Sequence, residues 1–139
     1  TWDFTYNNNG QLLTMFRSEG NERTTIKYEA GNIVSTTEKA VNGTRNKTHK
    51  VYYTSQSVPS PIVNKGCIML FDTTLGIDMD EMQYAYFAGL LGKATKHLPV
   101  RLVGNEGEEE SFAWHLNASG YPTSMVRSHA PNWTNTFTW

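Results

Sequence analysis

Carboxylate side chains gather in the middle of the chain, where their spacing is compatible with a Ca²⁺ site or with glycoside hydrolysis. The densest group contains Asp72, Asp78, Asp80 and Glu81, and Glu110 follows in a later acidic stretch. A glycosidase needs two carboxyl groups about 5–10 Å apart across a cleft. The sequence lacks the glycine and the following glutamate of a Ca²⁺ loop, and the acidic first turn of a helix explains the same residues. We therefore expect no metal site, and a hydrolase using these carboxylates is one alternative function.

Histidine and cysteine are arranged without a catalytic or metal-binding pattern. No two of the four histidines have the i, i+4 spacing of a helical zinc site, and no cysteine lies beside them. We expect surface histidines, with His115 on the opposite, solvated face from Trp114. Cys67 lies in an apolar strand-like run, residues 67–72, and is predicted to be a buried small hydrophobe. A Gly-x-Ser-x-Gly elbow is absent as well, so the sequence favours no cofactor and no enzyme.

The four tryptophans are the candidates for ligand binding. Trp2, Trp114, Trp133 and Trp139 all lie in predicted strands, where a flat ring on a sheet face can stack on a sugar or a peptide. The competing interpretation, which we favour, is that these rings fill the core of a curled sheet, because large aromatic side chains contribute most to burial. An exposed aromatic patch of several hundred Å² would instead indicate a binding platform.

The elements that must position these residues are mostly strands. Trp2, Phe4 and Tyr6 alternate with polar residues, which is typical of a half-buried strand. The following Asn-Gly pair at 9–10 predicts a hairpin, and further turn signals near 18–21 and 30–32 predict a four-stranded meander within the first 40 residues. Further strands are predicted over 48–54, 98–104, 111–116, 121–128 and 133–139. One short helix, beginning at an acidic turn, is predicted near 78–92.

The end of the chain repeats the pattern of its beginning. Residues 4–12 and 113–122 each contain an aromatic strand, an asparagine, two small or polar residues, a glycine and a returning strand. The two segments match in both hydrophobic period and turn chemistry. We therefore predict that related hairpins open and close the fold.

Length and charge limit the classes of function. The chain has 139 residues, 12 Lys plus Arg and 13 Asp plus Glu, for a net charge of −1. This length suits one domain, 1–139, and the balanced charge argues against nucleic-acid binding, which needs a clustered basic excess. No run approaches the roughly 18 apolar residues of a membrane-spanning helix.

Three segments resemble a family of small secreted lipoproteins of unknown function from gut Bacteroidetes. The segments are residues 4–10, residues 84–93 with 96–99, and residues 114–122. The aromatic-x-aromatic-Asn hairpins are also similar to the Tyr-Asp repeats of large secreted β proteins. The resemblance implies an antiparallel sheet curled toward a barrel, a short helical excursion and attachment to the cell envelope. It also implies a lipid-bearing cysteine upstream of Thr1, and it brings no activity and no functional residues.

The sequence therefore predicts a mainly β protein, an antiparallel meander curled toward a barrel with one short helix inserted near 78–92. We expect a non-enzymatic module of the cell envelope, either periplasmic or on the cell surface. Its partner would be a glycan, a peptide or an envelope protein, with Trp2, Trp114, Trp133 and Trp139 as the candidate platform. A hydrolase and a protein–protein interaction module that presents a sheet edge are the alternatives.

Overall fold

Strands account for most of the described part of the chain. The computed structural model describes residues 1–40, 46–69, 72–77 and 83–139. Its strands, with a 3₁₀ turn at Glu19–Asn21, are β1 (Trp2–Tyr6), β2 (Leu12–Arg17), β3 (Glu22–Glu29), β4 (Asn32–Ala40), β5 (Asn46–Tyr52), β6 (Ile62–Val63), β7 (His97–Leu98), β8 (Arg101–Gly104), β9 (Glu109–Leu116), β10 (Pro122–Arg127) and β11 (Ala130–Thr136). Two short helices, α1 (Asp72–Leu75) and α2 (Gln83–Phe87), lie between β6 and β7.

Nine strands form one antiparallel sheet in the order β1-β2-β3-β4-β5-β8-β9-β10-β11, and β6 pairs with β7 separately. Because neighbouring strands run in opposite directions, the β1–β2, β3–β4 and β9–β10 turns lie at one end of the sheet. We call this the upper end. The segment 53–100, which connects β5 to β8, also leaves and rejoins the sheet there. The β2–β3, β8–β9 and β10–β11 turns lie at the opposite, lower end.

The core lies on the inner face of the curled sheet and is closed by the segment 53–100. The sheet supplies buried side chains from β2 to β10, and the inserted segment supplies Leu75, Ile77, Leu91 and Leu98 to the same cluster. Phe4, near one edge of the sheet, and Phe137, which follows the other edge strand, both pack against this cluster. The sheet therefore wraps around its own insertion, although β1 and β11 do not pair with each other.

The first and last hairpins have equivalent turns. Asn7 Oδ1 accepts the main-chain N–H groups of Asn9 and Gln11, each at 2.9 Å. Asn117 Oδ1 accepts those of Ser119 and Tyr121, each at 3.0 Å. Each turn ends at a glycine with a positive φ, 80° in the first and 87° in the last. The predicted relation between the two hairpins is therefore confirmed.

The predicted mainly β fold, with a meander over the first 40 residues, is confirmed. The helix predicted near 78–92 is observed as α2, whereas residues 78–82, with Asp78, Asp80 and Glu81, lie outside the described residues. The strand predicted over 98–104 is divided into β7 and β8, because Pro99 has no N–H with which to continue the pairing.

The prediction for Cys67 was wrong. Its side chain is exposed, its φ is 51°, and residues 67–69 are not in a strand. The main-chain N–H of Cys67 donates to the Asn64 carbonyl and closes a turn. Asn64 is the buried residue of this turn, since its amide donates to the carbonyls of Ile68 and Thr95 at 3.0 and 3.1 Å. An apolar run does not reveal a turn that is held by an asparagine outside that run.

Candidate functional site

A groove of about 870 Å³ crosses β8, β9 and β10 beside the loop 55–58. We call it the serine groove, because four serines line it. The complete lining is Ser55, Gln56, Ser57, Val58, Ile62, Val100, Arg101, Glu109, Ser111, Phe112, Ala113, Trp114, Val126, Arg127, Ser128 and Pro131.

Strand register places the polar residues of the groove. Arg101 on β8 lies opposite Ser111 on β9, and the next residue on each strand, Leu102 and Phe112, is buried in the core. Because side chains alternate along a strand, Arg101 and Ser111 face away from the core. The loop 55–58 is shaped by two main-chain hydrogen bonds between its first and last residues, at 2.8 and 3.2 Å.

An ion pair forms the charged part of the groove. Arg101 Nε donates to Glu109 Oε1 at 2.6 Å, and the Arg101 guanidinium lies 5.1 Å from the centre of the half-exposed Tyr52 ring. The hydrogen bond from Arg101, with the attraction of its charge, lowers the pKa of the Glu109 carboxyl below its ordinary value. Glu109 is therefore a carboxylate at neutral pH, and the pair offers both donors and acceptors to a ligand.

Hydroxyl groups and small apolar side chains complete the surface. Ser128 Oγ accepts the Ser111 N–H at 2.9 Å, which ties β10 to β9 where both serines line the groove. Val58, Ala113 and Val126 add apolar surface beside these polar groups. Such a mixture of hydroxyls, a guanidinium, a carboxylate and shallow apolar patches is suited to a ligand with several hydroxyl groups.

The hydrolase alternative depends on acidic residues that the structure describes only in part. Glu110 forms a two-bond ion pair with Arg127, at 2.7 and 3.0 Å, beside a cavity of about 290 Å³ that His49, Glu108 and His129 also line. The side chain of Asp72 and the whole of Asp78, Asp80 and Glu81 lie outside the described part. Within the described ranges, no group of three or more His, Cys, Asp or Glu residues is arranged to hold a metal ion.

The four tryptophans occupy separate places, and no two of their rings pack on each other. Trp2 and Trp114 are half-buried against the core, stacked on Phe4 and Phe137 respectively. Trp139 is 55% exposed and packs beside Tyr121, and Trp133 on β11 is 80% exposed. Of the four, Trp114 lines the serine groove. That these four tryptophans bind a ligand stays a prediction.

Two histidines differ from the expected surface positions. His49 is half-buried, and its Nδ1 atom is shielded from solvent without a hydrogen-bond partner among the described residues. His97 is half-buried, and its Nδ1 atom lies 2.8 Å from Asn32 Nδ2. His115 and His129 are exposed as predicted.

Sequence reasoning did not find the serine groove. Its residues come from the loop 55–58, from β8 and β9, and from the end of β10, and only the fold brings these segments together. One local signal was present: Ser111 and Ala113 are small residues that alternate with Phe112 and Trp114 on β9. That alternation predicts a shallow surface on the outward face of β9, but it does not predict that the loop 55–58 lies beside this surface.

Comparison with known proteins assigns the chain to a family. Residues 1–124 match the family described as a domain of unknown function (DUF4595) with porin-like fold. The chain belongs to this family. No curated protein matches the sequence, so membership brings the porin-like fold and an unknown function.

A solved structure supports the same fold. The chain is similar to a porin-like protein from Bacteroides uniformis ATCC 8492, with a TM-score of 0.65 and 17% sequence identity. The similarity covers 99% of this chain and 56% of the Bacteroides protein, so the chain spans just over half the length of that protein. No helix in the described ranges is long and apolar enough to cross a membrane.

Proposed function

We propose that this DUF4595 chain is a non-enzymatic binding module of the cell envelope and that it binds a glycan in the serine groove. The observation that supports this proposal is the side-by-side arrangement of four serines, one glutamine and the Arg101–Glu109 pair along a single groove. Hydroxyl groups of a sugar both donate and accept hydrogen bonds, and this lining offers both kinds of partner. The volume of about 870 Å³ falls within the range of roughly 300–1,000 Å³ that is common for ligand sites.

Arg101 is the central residue of the proposed site. Its Nε atom holds Glu109, its guanidinium lies over Tyr52, and its strand partner Ser111 also lines the groove. Guanidinium N–H groups that are not bonded to Glu109 are available to donate to sugar hydroxyls. Trp114 also lines the groove, but its ring stacks on Phe137 against the core, so the polar residues carry the proposed site.

A glycan array, followed by titration calorimetry of the oligosaccharides that bind, tests the proposal. We expect Arg101→Met to weaken binding at least about 10-fold, because a hydrogen bond from a charged group contributes roughly 1.5–3 kcal/mol. Arg23→Met is the matched control, since the Arg23 guanidinium also lies over an aromatic ring, that of Phe16, at 5.4 Å, but Arg23 is outside the groove. Failure of every host and dietary glycan to bind, or equal losses in both variants, would contradict the proposal.

The cell-envelope location belongs to the same proposal. It is supported by family membership and by the similarity to a Bacteroides porin-like protein. A lipid anchor upstream of Thr1 would hold the module at a membrane. Fractionation of native cells, followed by immunoblotting, should recover the protein with the envelope, and recovery in the cytosolic fraction would contradict this location.

A second candidate function is protein binding at the free edge of β11. Within the part of the chain that the structure describes, this strand pairs with β10 on one side and with no strand on the other, and it carries the exposed Trp133. An unpaired strand edge can accept a strand from another protein. Pull-down from native envelopes tests this function: capture of an envelope protein that Trp133→Ser abolishes would favour it over glycan binding, and capture that is unchanged in the variant would exclude this edge.

A further inference from the structure

Five threonines form a row across the outer face of the sheet. Each lies directly opposite the next in the pairing of β1–β5, and we call them the threonine row: Thr5, Thr14, Thr25, Thr37 and Thr48. With neighbouring strands about 4.8 Å apart, the row spans about 19 Å. The adjacent residues Thr24 and Thr36 are buried. Because side chains alternate along a strand, the row lies on the face turned away from the core.

The hydroxyl groups of the threonine row keep capacity for further hydrogen bonds. The Oγ1 atoms of Thr5 and Thr14 lie 2.5 Å apart, and those of Thr37 and Thr48 lie 3.5 Å apart. A hydroxyl group donates one hydrogen bond and accepts two, so each pair can still bond a ligand. Thr25, at the centre of the row, is exposed. Cross-strand threonine pairs stabilise a sheet in any case, so the charges beside the row indicate its ligand.

Three exposed lysines border the threonine row on both sides. Lys27 and Lys50 both lie opposite Ser35 on one side of the row. Lys39 lies on the other side, directly opposite Arg23. Each lysine is two positions from a threonine of the row, so all three share its face. Like charges in direct opposition destabilise a sheet, and the stability of the sheet therefore does not explain the Arg23–Lys39 pair.

Few carboxylates share the outer face of β1–β5. They are Asp3 and Glu29, against four cationic side chains, Arg23 and the three lysines. In the part of the chain that the structure describes, the three lysines form no ion pair. The loop 41–45, which joins β4 to β5 outside the described residues, contains Arg45 and no acidic residue. The lysine ammonium groups are therefore available to an anionic ligand.

The other acidic residues nearby belong to the inner side of the sheet. Glu38 lies opposite the buried Thr24, and Glu22 lies two residues before Thr24 on β3, so both share its inward face. In the segment 53–100, Ile77 lies in the core cluster, and the acidic residues of that segment are close to Ile77 in sequence. Along the described strands, the charge beside the threonine row is therefore positive.

A row of hydroxyl groups with ammonium groups on both sides suits an acidic polysaccharide. Sugar hydroxyls can bond to the threonines, and carboxylate or sulfate groups can bond to the lysines. Single-stranded nucleic acid fits less well, because its bases need open aromatic rings on which to stack. The rings of this face, Phe16 and Tyr52, lie under the guanidinium groups of Arg23 and Arg101, at 5.4 and 5.1 Å. A second copy of the chain would bring lysines against lysines.

We propose that the threonine row, with Lys27, Lys39 and Lys50, binds an acidic polysaccharide that lies across β1–β5. The sugar residues run along the row, and their carboxylate or sulfate groups reach the lysines on both sides. The Arg23 guanidinium lies over Phe16, so the site does not depend on it. None of the threonines or lysines of this site lines the serine groove, and the proposal is therefore separate from glycan binding there.

Titration calorimetry with oligogalacturonate, dextran sulfate and neutral dextran tests the site. We expect both acidic probes to bind, less tightly as the salt concentration increases, and neutral dextran not to bind. Lys27→Gln/Lys39→Gln/Lys50→Gln should bind the acidic probes about 10- to 100-fold more weakly, as the loss of three exposed charge contacts would give. Circular dichroism and thermal unfolding check that each variant folds.

The control for charge removes three lysines elsewhere. The carbon chains of Lys65, Lys93 and Lys96 each cover the glycine of a turn at the upper end. Lys65→Gln/Lys93→Gln/Lys96→Gln should bind the acidic probes as the wild type does. Both lysine variants keep every residue of the serine groove, so they should bind neutral oligosaccharides in the groove unchanged. A protein that binds such an oligosaccharide but neither acidic probe would overturn this site and leave the groove in place.

The hydroxyl groups are tested by Thr25→Val/Thr37→Val, which keeps the size of two central side chains. We expect the acidic probes to bind this variant at least about 5-fold more weakly. Thr134→Val/Thr136→Val, two exposed threonines of β11, is the control and should bind normally. The proposal is overturned by equal losses in the two lysine variants, by unchanged binding in Thr25→Val/Thr37→Val, or by neutral dextran that binds as well as the acidic probes. It is also overturned if a single-stranded oligonucleotide of equal charge binds more tightly than oligogalacturonate.

Discussion

At the residue scale, hydrogen bonds from tyrosine hydroxyls and tryptophan N–H groups connect neighbouring parts of the fold. The hydroxyls of Tyr28 and Tyr53 donate to the carbonyls of Leu12 and Ile33, both at 2.7 Å. The indole N–H groups of Trp114 and Trp139 donate to the carbonyls of Pro99 and Pro122, at 2.7 and 2.6 Å. Each of these hydrogen bonds gives a partner to the polar group of a large ring that is partly or wholly buried. Trp114 and Trp139, two of the four candidate tryptophans, therefore have a structural role: each connects two segments of the chain through its indole N–H group.

Tyr53→Phe should lower the free energy of unfolding by about 1–2 kcal/mol at pH 7, because the Ile33 carbonyl loses its donor in a buried position. Tyr52→Phe is the matched control, since Tyr52 is the adjacent residue and is exposed. Urea denaturation followed by circular dichroism measures both changes. A cost for Tyr52→Phe equal to that for Tyr53→Phe would show that the buried hydrogen bond is not the cause.

The same tyrosines predict how stability depends on alkaline pH. Burial raises the pKa of Tyr28 and of Tyr53 well above the ordinary value of 10.0. Above pH 10 the unfolded chain loses these protons while the folded chain keeps them. The contribution of these two tyrosines to the free energy of unfolding should therefore be constant well below pH 10 and fall as the pH rises through and above 10. Denaturation curves between pH 8 and 11 should show a smaller fall for Tyr53→Phe than for the wild type. An equal fall in both proteins would contradict the assignment to Tyr53.

At the scale of elements, the asparagine-to-glycine turn is the unit that the sequence predicts best. Its residues are local, and the side-chain oxygen of the asparagine bonds the same two positions of the main chain in the first and last hairpins. Such a turn depends on five consecutive residues, so it can be identified without the rest of the fold. The turn at Cys67 was missed because its hydrogen bonds come from Asn64, a buried residue outside the apolar run.

Asn7→Ala should destabilise the protein by about 1–2 kcal/mol, because the N–H groups of Asn9 and Gln11 lose their acceptor. Asn8→Ala, in the same turn, removes an exposed side chain and should change stability by less than about 0.5 kcal/mol. Thermal unfolding of the two variants makes the comparison. Equal effects would show that the side-chain oxygen of Asn7 does not hold the turn.

At the scale of the whole molecule, the sheet and the described residues of its insertion contribute to one core cluster. Leu98 on β7, which belongs to the insertion, is fully buried and lies in the same cluster as Leu12 on β2 and Met125 on β10. The strand pattern predicted the sheet, because alternation is local to each strand. The path of the segment 53–100 was not predicted, since its packing depends on contacts with strands far away in the sequence. The serine groove was missed for the same reason.

Leu98→Ala should lower the free energy of unfolding by about 2–5 kcal/mol, as expected for a cavity in a packed core. The neighbouring strand offers a control in Val63→Ala, because Val63 is 58% exposed and should cost less than about 1 kcal/mol. Tryptophan fluorescence and far-ultraviolet circular dichroism should report the same transition for Leu98→Ala. Two separate transitions would show that the insertion and the sheet unfold independently.

Nuclear magnetic resonance mapping of a bound oligosaccharide tests glycan binding in the serine groove most directly. Addition of an oligosaccharide selected on the array to ¹⁵N-labelled protein should shift amide signals in the loop 55–58, in β8 and β9 around Arg101 and Ser111, and at the end of β10. At the same oligosaccharide concentration, the same signals should shift much less in Arg101→Met. Shifts confined to Trp133 and β11, or to α2, or unchanged shifts in the variant, would contradict the proposed site.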